Sequence, residues 1–123
     1  MAKLDGQTSK VFLGGFSQGC CLALSTFIRH KHTQGEIGGV LGLSGLFALQ
    51  VKDWSTEVDI TSKKSVPLFL SHGSYDTMIP IDSAKLSYNH LKTNGFDFNF
   101  VEEEGLEHSL SLHTIENMKT FLH

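Results

Sequence analysis

Val11-Phe12-Leu13-Gly14-Gly15-Phe16-Ser17-Gln18-Gly19 decides the fold. A short apolar run, rich in strand formers, ends in Gly15-Phe16-Ser17-Gln18-Gly19, and a helix-compatible segment from Cys20 to His32 follows at once. This is the G-x-S-x-G form of a nucleophile elbow, a serine on a sharp strand-to-helix turn. The strained backbone of such a turn tolerates only small residues two positions either side. The turn lifts the hydroxyl clear of the sheet and points the N-terminus of the next helix at it. The pentapeptide recurs by chance in unrelated chains, so its surroundings must support the assignment.

Outward from the elbow, the pattern alternates strands with helices. Residues 1–9 are polar and read as a short, partly helical lead-in, and Lys10 to Gly14 reads as a first strand of the kind buried on both faces. From Gln18 to about Lys31, Cys21, Leu24 and Ile28 recur at helical spacing, with Leu22 and Phe27 widening the stripe. Arg29, His30, Lys31 and His32 close that helix with positive charge suited to a C-terminus. Ile37 to Phe47 is a second strand running into a Ser44-Gly45 turn, and residues 48–65 form a long connection holding the single tryptophan, Trp54. Val66 to Leu70 is a third strand, ending at Ser71-His72-Gly73, and a loop through Asp76 reaches Pro80. Asp82 or Ser83 is expected to cap a helix with Ala84, Tyr88 and Leu91 on one face, stopped by Asn94-Gly95. Phe96 to Val101 alternates as a fourth strand. Glu102 to Glu107 is a polar turn, and a last helix from about Ser109 carries Ile115, Met118 and Leu122 inward. The expected class is α/β, with about four parallel strands, flanking helices and right-handed crossovers.

Bulk properties bound the function. With 123 residues the chain is expected to be one unit, 1–123, without room for a second domain. Its 40% apolar content suits a packed core, and a net charge of −3 with scattered Lys and Arg offers no nucleic-acid footprint. No apolar run approaches the roughly 20 residues of a membrane helix, so no integral membrane segment is expected. Met1 to Gln7 lacks the apolar centre of a signal peptide. Adjacent Cys20 and Cys21 suit reduced thiols better than a disulfide, which together point to the cytoplasm. Standing in the first turn of a helix, one of them has a route to a lowered pKa, but buried and inert cysteine is the favoured reading.

Three loops after three different strands each carry one group that nucleophilic acyl transfer needs. Ser17 follows the first strand, Asp76 the third and His108 the fourth. In a parallel sheet these loops open on the same carboxyl edge. A serine hydroxyl is a weak nucleophile, so a base must take its proton, and a carboxylate on the far ring nitrogen orients and stabilises that base. Chain order Ser, Asp, His is that of the α/β-hydrolase fold. The backbone N–H of Gln18, at a helix start just past the nucleophile, is the expected oxyanion donor.

These residues carry a family resemblance. Gly14-Gly15-Phe16-Ser17-Gln18-Gly19 resembles the G-G-F-S-Q-G elbow of the acyl-protein thioesterase, lysophospholipase and carboxylesterase family of α/β-hydrolases. His72-Gly73-Ser74-Tyr75-Asp76-Thr77-Met78-Ile79-Pro80 is similar to its H-G-x-x-D-x-x-V-P segment, whose aspartate is the triad acid. Glu104-Gly105-Leu106-Glu107-His108-Ser109 resembles its E-G-x-x-H-x segment, which bears the triad histidine. The resemblance implies hydrolysis of an acyl ester or thioester, on a lipidated protein, a lysolipid or a small ester. It further implies an acyl-serine intermediate and no metal or organic cofactor. Two departures stand out. Cys20 and Cys21 replace the small residues, often Gly-Ala, that usually follow the elbow. The family's first four strands have no counterpart here, nor does its H-G-x-G-D-like loop, which supplies a second oxyanion donor. The resemblance therefore implies a partial α/β-hydrolase fold, the C-terminal half with N-terminal strands absent, and weak or no activity for residues 1–123 alone.

Other readings stand beside this one. Within enzymes the alternative is a carboxylesterase for small soluble esters. From another class comes a catalytically silent fragment that self-associates, or joins another chain, through the strand edge exposed beside the elbow. Asp82 competes with Asp76 but reads better as a helix cap. His72 reads as a structural hydrogen-bonding residue rather than a second base, and His113 lies inside the last helix. His30 and His32 have no neighbour that completes a metal set. Trp54 and the Leu46-Phe47 turn are candidates to line an acyl channel, or else ordinary loop residues.

Overall fold

The computed structural model describes residues 11–29, 37–48 and 63–122. In chain order these form β1 (Phe12–Phe16), α1 (Gln18–Arg29), β2 (Gly39–Leu43), β3 (Leu68–Gly73), α2 (Ile81–Thr93), β4 (Asn99–Glu103) and α3 (Leu112–Leu122). The strands pair in parallel in the order β1-β2-β3-β4, so the α/β class and the four parallel strands are as expected. The polar lead-in, His30, Lys31, His32 and Trp54 lie outside the described residues.

Position in the sheet explains the composition of each strand. β2 and β3 are central, and every one of their residues is buried, which is why each reads as an apolar run without a polar side. β1 and β4 are outer strands with part-buried and exposed positions. The run at Val11 to Leu13 therefore does not mark a strand buried on both faces. β1 pairs only with β2 among the described residues, and it runs through Phe16 rather than stopping at Gly14. β3 likewise absorbs Ser71, His72 and Gly73. β4 starts at Asn99, because Phe96 is spent on the core and donates its N–H to the Leu91 carbonyl (3.0 Å), closing α2.

Alternation along the central strands divides the core between two faces. Val40, Leu68 and Leu70 face α1 and α2, packing with Leu24, Phe27, Ile28, Tyr88 and Leu91. Leu41, Leu43 and Phe69 face the other way, under Met118 and Phe121 of α3. The Phe121 ring lies 5.5 Å from Phe69 and 6.0 Å from Phe12, centroid to centroid.

The helices depart from expectation where one residue of rotation matters. Cys20, not Leu22, belongs to the buried stripe of α1, and Leu22 is 69% exposed. Two residues are 200° of helical rotation, so Cys20 and Leu22 cannot share a face. In α2 the expected face is buried as Ala84, Tyr88 and Leu91, but neither Asp82 nor Ser83 caps the helix. Pro80 holds the cap position without a side-chain bond, and Asp82 sits in the first turn, favourable to the helix dipole. α3 packs through Thr114, Met118 and Phe121, leaving Ile115 and Leu122 at 40% and 43% exposure, not inward. Its start is set by Ser111 and Thr114. The Thr114 N–H donates to Ser111 Oγ (3.0 Å) and the Ser111 N–H to Thr114 Oγ1 (3.1 Å), a capping box with threonine in place of an acid.

Phe47 is buried in the core with its N–H donating to Ser87 Oγ (3.0 Å), and Leu46 packs against the same cluster. Both cysteines are free. Cys20 is buried with Sγ 3.4 Å from Tyr88 Oη, and burial, outweighing that contact, pushes its thiol up to about 11. Among the described residues no helix is long and apolar enough to cross a membrane.

Candidate active site

The elbow forms where β1 runs out of partner. Phe16 pairs with Leu43, and Ser17 extends the ladder by one bond, its N–H donating to the Leu43 carbonyl (2.8 Å). The chain then reverses at Ser17 in the left-handed region (φ 59°), and the Ser17 carbonyl accepts the N–H of Cys20 (3.0 Å) and of Cys21 (3.3 Å), opening α1. The demand for small neighbours proves one-sided. A Cβ on Gly15 would sit 2.1 Å from the carbonyl carbon of Gly19, whereas one on Gly19 would meet nothing within 4 Å.

Asp76 is placed by the turn that leaves β3. Its Oδ1 accepts the backbone N–H of Met78 (2.9 Å) and of Ile79 (2.8 Å), so the side chain closes the turn on itself. Burial opposes ionisation here. The Ile79 amide, the hydrogen bond and charge of His108 and the nearby His72 outweigh it, holding the carboxyl below its ordinary 3.8.

The His108 loop is stitched across the end of β3. Ser74 donates its N–H to the Glu103 carbonyl (3.0 Å), Tyr75 to the Leu106 carbonyl (3.0 Å), and the Gly105 N–H to Ser74 Oγ (2.8 Å). Gly73 makes this approach possible, since a Cβ there would lie 2.1 Å from the Leu106 oxygen. The far end of the loop is held by buried Glu103, whose carboxylate accepts Ser111 Oγ–H (2.7 Å) and the Thr114 hydroxyl. His108 thus hangs between two anchored ends.

The three groups predicted from sequence come together. His108 Nδ1 is 2.7 Å from Asp76 Oδ2, and His108 Nε2 is 2.9 Å from Ser17 Oγ. A carboxylate only accepts, so Nδ1 carries the hydrogen and Nε2 presents its lone pair to the Ser17 hydroxyl. The Asp76 side chain is fully buried, while that of His108 is 18% exposed. Such a chain moves a proton off an alcohol and returns it to a leaving group. Gln18, the expected oxyanion donor, is the first residue of α1, a position whose backbone N–H has no acceptor within its own helix. Asp82 and His113 take no part in this chain.

Two contributors were not read from the sequence. The Phe16 ring lies 4.9 Å from the His108 ring and walls one side of the imidazole. Nothing about a variable elbow position announces that. The Glu103 clamp did leave a trace, the Ser111-x-x-Thr114 spacing of a capping box, but its acid partner comes from another element.

The sequence matches the family described as Phospholipase/Carboxylesterase over residues 3–123. It is 34% identical to acyl-protein thioesterase 1 homolog 1 of Dictyostelium discoideum, over 92% of this chain and 47% of that protein. To acyl-protein thioesterase 1 of Yarrowia lipolytica it is 36% identical, over 93% and 49%. Among solved structures, Arabidopsis thaliana SOBER1 superposes with a TM-score of 0.85 at 25% identity, covering 98% of this chain and 56% of that one. Zea mays acyl-protein thioesterase 2 shares the fold with a TM-score of 0.70 at 24% identity, covering 89% and 55%. The chain spans about half the length of the curated relatives it matches.

Proposed function

Since the chain belongs to the phospholipase/carboxylesterase family of α/β-hydrolases, we propose that it cleaves acyl thioesters or esters through an acyl-serine intermediate. Ser17 Oγ attacks the acyl carbon as His108 Nε2 takes its proton. The carbonyl oxygen becomes an oxyanion that accepts the Gln18 N–H. His108 then protonates the departing thiolate or alkoxide, and the acyl group stays on Ser17. Water then adds to the acyl carbon as His108 takes its proton, and His108 returns that proton to Ser17 Oγ as the acyl–serine bond breaks and the carboxylic acid leaves. Asp76 holds the imidazole's tautomer and stabilises its cation throughout.

The observation that carries this reading is the unbroken hydrogen-bond chain Ser17–His108–Asp76. Relatives named acyl-protein thioesterases favour a thioester on a lipidated protein as substrate. A lysolipid or a small soluble ester has the same acyl carbonyl and is the alternative. The free thiols of Cys20 and Cys21 suit a reducing compartment, and the cytoplasm is the proposed location. Residues 1–123 are read as the C-terminal half of a hydrolase domain. The sequence holds no H-G-x-G-D-like loop, and one missing oxyanion donor lowers turnover by about a hundred- to a thousand-fold.

A fluorophosphonate probe tests the chemistry. Ser17 is expected to label, Ser17→Ala to abolish labelling, and Asp76→Asn to slow it by about a thousand- to ten-thousand-fold. His108→Ala should have a comparable effect. Absence of labelling in the wild-type chain overturns the reading and favours the silent, associating fragment, which the one-sided pairing of β1 among the described residues supports. Thioester turnover by the chain is expected to be slow, and robust turnover abolished by Ser17→Ala would refute that expectation of weak activity.

A further inference from the structure

We propose that His72 is a positioning residue for the site, holding the Asp76 turn so that the carboxylate meets His108; the proposal rests on the Ser17–His108–Asp76 reading above. His72 is the last residue but one of β3 and is fully buried. Its Nε2 lies 2.6 Å from the Ile79 carbonyl oxygen and 3.4 Å from Asp76 Oδ2. A carbonyl only accepts, so Nε2 carries a hydrogen, and that N–H edge faces both ends of the turn from Asp76 to Ile79.

The consequence runs through one peptide unit after another. His72 holds the carbonyl of Ile79, and the amide of Ile79 holds Asp76 Oδ1 (2.8 Å). With Oδ1 pinned, Oδ2 is left aimed at His108 Nδ1 (2.7 Å). The same N–H edge lies close enough to Oδ2 to favour its charged form.

The other ring nitrogen argues against a packing role. Among the described residues, His72 Nδ1 is the buried side-chain nitrogen or oxygen atom without a hydrogen-bond partner. A buried polar atom left unsatisfied is unfavourable, and β3 fills its other inward positions on this face with Leu68 and Leu70. An apolar side chain would fill the space without that penalty. What an apolar side chain lacks is the N–H at the Nε2 position.

The test uses the full 123-residue chain and two readouts. One is the proton NMR resonance of His108 Nδ1–H, assigned by its loss in His108→Ala. The other is fluorophosphonate labelling of Ser17, separated into probe affinity and maximal rate. His72→Phe keeps the bulk and removes both nitrogens. His72→Gln puts an amide N–H near the Nε2 position, and His72→Asn puts one near Nδ1 instead. The Phe and Asn variants are expected to lose or shift the resonance and to lower the maximal labelling rate by about ten- to a hundredfold at unchanged probe affinity. The Gln variant should retain both. A folded His72→Phe chain with the wild-type resonance overturns the proposal. If that variant does not fold, the amide pair decides, and Gln and Asn variants that behave alike overturn it. Should the wild-type chain not label at all, the hydrolase reading fails, while the resonance still decides the role of His72.

Discussion

At the scale of single residues, the elbow separates two glycines that look equivalent in G-x-S-x-G. Gly15 faces the backbone of Gly19 and Cys20 at distances no side chain survives, while Gly19 faces open space within a helix. Gly15→Ala is therefore expected to cost about 2–3 kcal/mol or to displace the start of α1. Gly19→Ala is expected to be neutral or to stabilise by up to about 1 kcal/mol, since alanine outranks glycine in helices. Urea denaturation of the two variants checks the contrast, and equal destabilisation would refute it. The sequence pattern names both glycines because it records the turn, not the direction in which each Cβ would point.

At the scale of elements, the loop between β4 and α3 shows how a strand end and a helix start cooperate. Glu103 closes β4, and its carboxylate takes the hydroxyls of Ser111 and Thr114, which also cap α3. His108 lies between these anchors, so its placement depends on a buried acid that touches neither Ser17 nor Asp76. Glu103→Ala leaves the two hydroxyls without their charged acceptor, at a cost of about 2–3 kcal/mol. Faster amide exchange in the first turn of α3, together with slower labelling of Ser17, is the expected signature. Unchanged exchange there would sink the clamp. Strand and helix order were legible in the sequence, and so was the face of α2. The faces of α1 and α3 were legible only to within one residue. Leu22, Ile115 and Leu122 are apolar, but their exposure is decided by 100° steps against a particular sheet.

At the scale of the whole molecule, the site is an event at one edge of the sheet. Parallel pairing brings the carboxyl ends of β1, β3 and β4 to the same side, and the stitching of Ser74, Tyr75 and Gly105 closes the distance between two loops. This arrangement makes stability depend on acid. The Asp76 carboxyl is held below 3.8 in the folded chain, so the unfolded chain binds a proton first as pH falls. Its stabilising contribution is complete above that ordinary value and is lost as pH drops through the lower folded one. Urea midpoints should therefore fall on acidification below about pH 4, and Asp76→Asn should flatten that part of the profile. A wild-type profile no steeper than that of the variant would contradict the assignment.

The sequence by itself determined the α/β class and the parallel order of elements, and it singled out Ser17, Asp76 and His108, the three side chains that meet in one hydrogen-bond chain. Each follows from local chemistry: runs of strand formers, helical periodicity, and groups of known reactivity placed after strands. Only the tertiary structure decided that His72 turns an N–H edge on the Asp76 turn and that Glu103 ties down the His108 loop. It also decided that Phe16 walls the imidazole and that Gly15 alone of its pair is obliged to be small. Those facts depend on which atoms of separate elements come within a few ångströms of one another, and distances between elements are a property of the packed sheet.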